Sequence, residues 1–134
     1  MAENDNAKII ERAYQAFGRG DLPAMLGLLS SDIAWRHPAI EGVPWAASFR
    51  GTDSVAGFFA ALAKAADVEQ FEPLHFVAAG DRVVVLGRER VRAKSTGRTY
   101  ETDWAHSFLL RDGKIVEFQE YTDTNRIAAA FREA

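Results

Sequence analysis

At 134 residues, with 48% hydrophobic and 26% charged side chains, the chain has the length and composition of one globular domain spanning 1–134, and is too apolar for a disordered one. A net charge of −3 argues against nucleic acid or an anionic membrane as the main partner, because both are bound through clustered positive charge. Cysteine is absent, which excludes disulfides, thiolate metal sites and a thiol nucleophile; MAENDNAKII lacks a signal-peptide pattern and no run of about 18 apolar residues occurs, so a cytoplasmic protein is expected.

Residues 6–19 place Ile9, Ile10, Ala13, Tyr14 and Phe17 on one helical stripe that stops at Gly18 and Gly20. After Asp21, LPAMLGLLS gives a short second helix that tolerates Pro23 in its first turn. Asp32 to His37 alternates Ile33, Trp35 and His37 against Ala34 and Arg36, a strand ended by Pro38. AIEGVPWAASFRG reads as a loop, and Thr52 or Asp53 is expected to cap a third helix carrying Val55, Phe58, Phe59 and Leu62. From residue 68 the period becomes two. Strands are expected over about 69–79, 82–93, 98–111 and 114–122, joined by turns at Gly80-Asp81, KSTG and Asp112-Gly113. The final DTNRIAAAF either forms a short helix with Asp123 as cap or frays as a chain terminus. Helices followed by an antiparallel meander give an α+β order, with the helices covering one face of a curved sheet.

The glycine closing KSTG sets a four-residue loop in which Ala93 pairs with Arg98. Arg88, Arg90 and Arg92 then lie opposite Asp103, Glu101 and Thr99, outside the cavity, while Gly87, Glu89 and Val91 face Trp104, Thr102 and Tyr100. In TDWAHSF the alternation groups Thr102, Trp104, His106 and Phe108 on one face. On the last strand Phe118, Glu120 and Thr122 share a face and Glu117, Gln119 and Tyr121 the other; the pattern leaves open which is inside.

GRGDL, DIAWRHP, FRGTDSV, TGRTY and DWAHSFLLRDGKIVEFQEYTD, in that order and spacing, resemble the SnoaL-like, ketosteroid-isomerase-related branch of the NTF2-like superfamily over nearly the whole chain. The resemblance implies a cone: a curved antiparallel sheet wrapped around N-terminal helices with an apolar cavity at the open end, and a homodimer through the outer sheet face. In ketosteroid isomerases the residue before the proline ending the first strand is the carboxylate base, a place held here by His37. The acid that donates to the substrate oxyanion falls, with one gap, on His106, and the donor tyrosine of helix one aligns with Ala13, next to Tyr14. Limonene-epoxide-hydrolase-like members set Glu120 at one catalytic carboxylate through FQEYTD, while Arg92 holds the place of the second.

Histidine suits proton transfer near neutral pH because its unperturbed pKa is about 6.5. His37 and His106 are therefore the first catalytic candidates, with a buried, hydrogen-bonded core role as the alternative for each. Glu89, central in its strand, becomes a proton donor if burial raises its pKa, and Glu120 is the second carboxyl candidate. Trp35, Trp45, Trp104, Phe58 and Phe118, with Tyr14, are candidate cavity-wall and ligand-binding residues. Two histidines without a third ligand do not make a metal site, and no cofactor is expected. Asp123 reads as a cap, and His75 as a surface or interface residue. Two functions fit: a cofactor-independent acid/base enzyme of isomerase, cyclase, dehydratase or hydrolase type acting on a small apolar organic molecule, or a non-catalytic ligand-binding or scaffolding module.

Overall fold

The computed structural model describes residues 3–132. Helix α1 (Glu3–Gly18) buries Ile9, Ile10, Ala13 and Ala16, the stripe that its sequence spacing demands. The short α2 (Leu22–Leu26) starts at Asp21, whose carboxylate accepts from the Ala24 N–H at 3.1 Å. Helix α3 (Thr52–Ala65) buries Val55 and Phe58. Its N-cap is Gly51 at φ 87°, not Thr52 or Asp53, which lie in the first turn. A left-handed glycine is needed here because the same residue donates its N–H to the Ile33 carbonyl at 2.8 Å, pinning the chain to the neighbouring strand as it turns into the helix.

The six strands are β1 (Leu29–Arg36), β2 (Ser48–Arg50), β3 (Ala66–Ala79), β4 (Arg82–Ala93), β5 (Thr99–Arg111) and β6 (Lys114–Thr122), ordered β2-β1-β6-β5-β4-β3 in one curved sheet. The last four form the expected meander, but two features depart from a simple antiparallel sheet. β1 pairs with β6 in parallel, and the segment read as a loop contains β2, antiparallel to β1. β1 also ends at Arg36; His37 lies just beyond it, its backbone N–H donating to the Ala47 carbonyl at 3.1 Å.

The β4–β5 register is the one that the KSTG loop and the charges imply: Arg88 opposes Asp103, Arg90 opposes Glu101 and Glu89 opposes Thr102. The arginine row faces away from the core, with side-chain exposures of 60%, 50% and 40% for Arg88, Arg90 and Arg92. Its nearest acids come from β3: Arg88 bonds Glu72 at 3.1 Å, Arg90 bonds Glu69 at 3.0 Å and Arg92 bonds Asp67 at 2.9 Å. On the other face of β5, Tyr100, Thr102, Trp104, His106, Phe108 and Leu110 are all buried.

The β5–β6 ladder shifts between Leu109, opposite Glu117, and Leu110, opposite Ile115, so that Val116 is the extra residue of a bulge. The shift turns Ile115 and Phe118 to the same side, and Glu120, two residues on, follows Phe118 inward. Helix α4 (Thr124–Phe131), capped by the Asp123 carboxylate on the Arg126 N–H at 3.1 Å, packs Ile127, Ala130 and Phe131 against the core. No described helix is long and apolar enough to cross a membrane.

Candidate functional site

Between the helices and the concave sheet lies a cavity of about 80 Å³, room for about half a dozen non-hydrogen atoms. Its wall is mainly aromatic and aliphatic, and the polar side chains on it are Tyr14, His37, Glu89, Tyr100, His106 and Glu120.

Four of these six, from α1, β5, β6 and the residue that follows β1, form one hydrogen-bonded chain. Glu120 on β6 faces His106 on β5 directly across the ladder, and its two oxygens meet two imidazoles: Oε1 stands 3.0 Å from His37 Nδ1 and Oε2 stands 3.0 Å from His106 Nε2. Tyr14 of α1 reaches His106 Nδ1 with its hydroxyl at 2.8 Å. Burial opposes ionisation of Glu120, but the hydrogen bonds from His106 and then His37 outweigh it and hold the carboxyl well below the usual range. An ionised carboxylate only accepts, so both facing nitrogens carry hydrogens. His106 is pushed toward its neutral form by burial, with Glu120 opposing and His37 assisting. Its single proton therefore sits on Nε2, its Nδ1 is an acceptor, and the Tyr14 O–H donates to it. Burial, then the nearby Glu120 charge, raises the Tyr14 pKa and keeps that hydroxyl protonated.

The same reasoning gives His37 a different capacity. With Nδ1–H committed to Glu120, neutral His37 presents an unprotonated Nε2, and that atom is buried without a hydrogen-bond partner. The ring is stacked on Phe58 at 4.4 Å and 18°, which leaves little freedom to turn away. The carboxylate behind Nδ1 stabilises the imidazolium that forms when Nε2 accepts a proton. Glu120 spends both oxygens on the imidazoles, and no group of three His, Cys, Asp or Glu among the described residues is placed to hold a metal ion.

Glu89 stands apart from this chain. It is half-buried, and burial followed by the Glu120 charge raises its pKa to about 8, so at neutral pH it is mostly a carboxylic acid. Tyr100, opposite Val91, lines the wall beside it.

Trp35, Trp45, Phe58, Phe118 and Tyr14 all line the cavity, but Trp104 does not. It is buried between Phe71, at 4.9 Å, and His106, at 3.9 Å with 16° between the planes, and so acts on the site through the imidazole it supports. Arg92 and Asp123 lie on the exposed face and at a helix cap, and His75 is exposed on β3. The Tyr14–His106 bond was not anticipated from the sequence, where Tyr14 read as wall. Its signal was present: Tyr14 is the one polar residue on the apolar stripe of α1 after Asn6. Phe71, also missed, sits on the mostly exposed β3, where alternation is interrupted by shifts after Val68 and Pro73.

Helices packed inside a curved six-stranded sheet, enclosing an apolar cavity with a buried acid/base chain, define an NTF2-like α+β protein. A solved NTF2-like protein from Burkholderia xenovorans LB400 is 34% identical, superposes with a TM-score of 0.90 and covers 98% of this chain and 99% of its own. TerC, solved after co-crystallisation with polyporic acid, is 26% identical with a TM-score of 0.85, over 96% of this chain and 99% of its own. A Mycobacterium tuberculosis H37Rv protein is 27% identical over 124 residues, 90% of this chain and 91% of its length. The family model for the SnoaL-like domain matches residues 10–118, and the chain belongs to that family.

Proposed function

We propose that the cavity is the active site of an acid/base enzyme acting on a small, mostly apolar organic molecule, with His37 Nε2 as the base and Glu89 as the acid. One observation carries the reading: His37 Nε2 is a buried, unpartnered nitrogen on the cavity wall, backed at Nδ1 by an ionised carboxylate. Polar atoms in a packed core find partners, so an orphaned basic nitrogen beside a cavity marks a place for a substrate hydrogen. His106, with Tyr14 donating to it and Trp104 stacked on it, holds the other oxygen of Glu120 and so fixes that carboxylate. Glu89, neutral below about pH 8, has a proton to donate to a developing oxyanion.

The chemistry is an internal proton relocation or a proton-assisted closure or loss of water, in which proton count and charge balance without an added reductant or oxidant. The co-crystallisation of TerC with polyporic acid makes oxygenated aromatic compounds a reasonable part of the first screen. The test screens ketones, lactones, epoxides and polyketide-like compounds by tryptophan fluorescence and by product mass. For a substrate so found, His37→Gln and Glu120→Gln each lower kcat by about 10²-fold or more. Full turnover by His37→Gln would refute His37 as the base, and binding without turnover across the whole screen would count for a ligand-binding module instead.

A further inference from the structure

Trp35 and His37 are two residues apart on one side of the chain at the end of β1, and both line the cavity. Trp35 is 3% exposed and His37 8% exposed, and each has a buried polar atom without a partner: Trp35 Nε1 and His37 Nε2. An indole nitrogen only donates, whereas His37 Nε2, with its other nitrogen held by Glu120, accepts. The two atoms do not satisfy one another, although their rings are 6.2 Å apart between centroids. Each ring is fixed independently: Trp35 stacks on Phe118 at 4.0 Å and 21°, His37 on Phe58 at 4.4 Å and 18°. Trp104 Nε1 is also unpartnered, but Trp104 is not a wall residue.

We infer that Trp35 Nε1–H and His37 Nε2 form a two-point recognition edge for a neutral group that carries a carbonyl oxygen and an acidic hydroxyl side by side, the enol form of a 1,3-dicarbonyl being the simplest. The carbonyl oxygen accepts from Trp35 Nε1–H and the hydroxyl donates to His37 Nε2. A monoketone fills one of the two points. A carboxylate has no hydrogen for Nε2 and meets the ionised Glu120 behind it. When the hydroxyl proton moves, the O–H bond breaks, an N–H bond forms at Nε2, and the electron pair stays on oxygen and spreads through the enolate to the oxygen held by Trp35. The imidazolium is then flanked by that enolate and by Glu120, and it returns the same proton to oxygen or to carbon.

The inference rests on the reading of His37 as the base, and a binding measurement separates the two because it needs no turnover. The full chain, labelled with ¹⁵N-tryptophan, is titrated with pentane-2,4-dione, whose seven heavy atoms suit a cavity of about 80 Å³, and in parallel with pentan-2-one and pentanoate. The Trp35 indole N–H resonance, assigned by elimination from Trp45→Phe and Trp104→Phe, moves on saturation with the dione. The dione binds about 10-fold tighter than either comparison compound, as one extra hydrogen bond would give. Trp35→Phe, if folded, loses about that factor for the dione. A Trp35 resonance that stays in place at saturation, a dione that binds no tighter than pentan-2-one, or no binding of the dione at all overturns the inference. A moving Trp35 resonance in a protein that turns over nothing supports the recognition edge while removing the enzymatic reading.

Discussion

Glu89 and Glu120 line one cavity and are held in opposite protonation states by their neighbours. Glu120 has an imidazole N–H on each oxygen; Glu89 has burial and the Glu120 charge acting on it with no hydrogen bond opposing them. The linkage of Glu89 has a definite sign. Its folded value of about 8 lies above the ordinary 4.5, so its contribution to stability is fully present below about pH 4.5 and is lost as the pH rises toward 8. Glu89→Gln keeps the shape without the titration. The variant is expected to match the parent at pH 4 and to exceed it at pH 9 by on the order of 2 kcal/mol, a figure reduced from about 1.4 kcal/mol per pH unit because the side chain is partly exposed. Urea unfolding at the two pH values measures this, and an equal effect at both would mean that the carboxyl is ionised throughout. His37, His106, Glu89 and Glu120 could all be named from strand positions and chemistry. Their joining into a chain could not, since Glu120 faces inward only because of the Val116 bulge, and Tyr14 arrives from a helix at a sequence distance of 92 residues from His106.

At the level of elements, the β4–β5 hairpin shows how a residue with no side chain shapes the site. Gly87 lies opposite Trp104, and a Cβ there would collide with the edge of the indole and stand 2.5 Å from the Glu72 carbonyl oxygen on β3. The absence of a side chain lets the indole lie across β4, where it stacks on His106. Gly87→Ala forces either the ring or the β3 backbone to move, at a cost of about 1–3 kcal/mol, and frees the face of His106. Lower thermal stability together with altered tryptophan emission is expected; a variant as stable as the parent with unchanged emission would refute this account. The hairpin itself was legible because a loop glycine, a row of arginines and a facing row of acids all select one register. β2 and the parallel β1–β6 pairing were not. β2 is three residues long in a segment rich in glycine, proline and small residues, and β1 finds its partner some eighty residues away, where no local turn chemistry specifies the pairing.

For the whole molecule, the concave side of the sheet is spent on the cavity, and the convex side is left with an apolar row. His75 opposes Leu86, Leu86 opposes Ala105 and Ala105 opposes Tyr121, so these four residues run side by side across β3, β4, β5 and β6. Leu86 is 45% exposed and Tyr121 60%, with Leu74 at 48% and Val77 at 57% nearby on β3. A row of this kind, with exposed apolar side chains at Leu86 and Tyr121, marks an interaction surface. We propose that a second copy of the chain covers it. In a two-fold contact the same patch meets itself, so a face of single charge would repel its partner; here Arg88, Arg90 and Arg92 are each paired with an acid of β3, so the arginine row does not present a face of single charge. Light scattering at micromolar concentration is expected to give twice the mass of one chain. Leu86→Glu, which puts a charge at the middle of the row on the side away from the cavity, is expected to halve that mass while leaving the fluorescence response to cavity ligands unchanged. A parent protein with the mass of a single chain, or a Leu86→Glu variant that remains dimeric, would place the convex face in solvent and require another explanation for its apolar row.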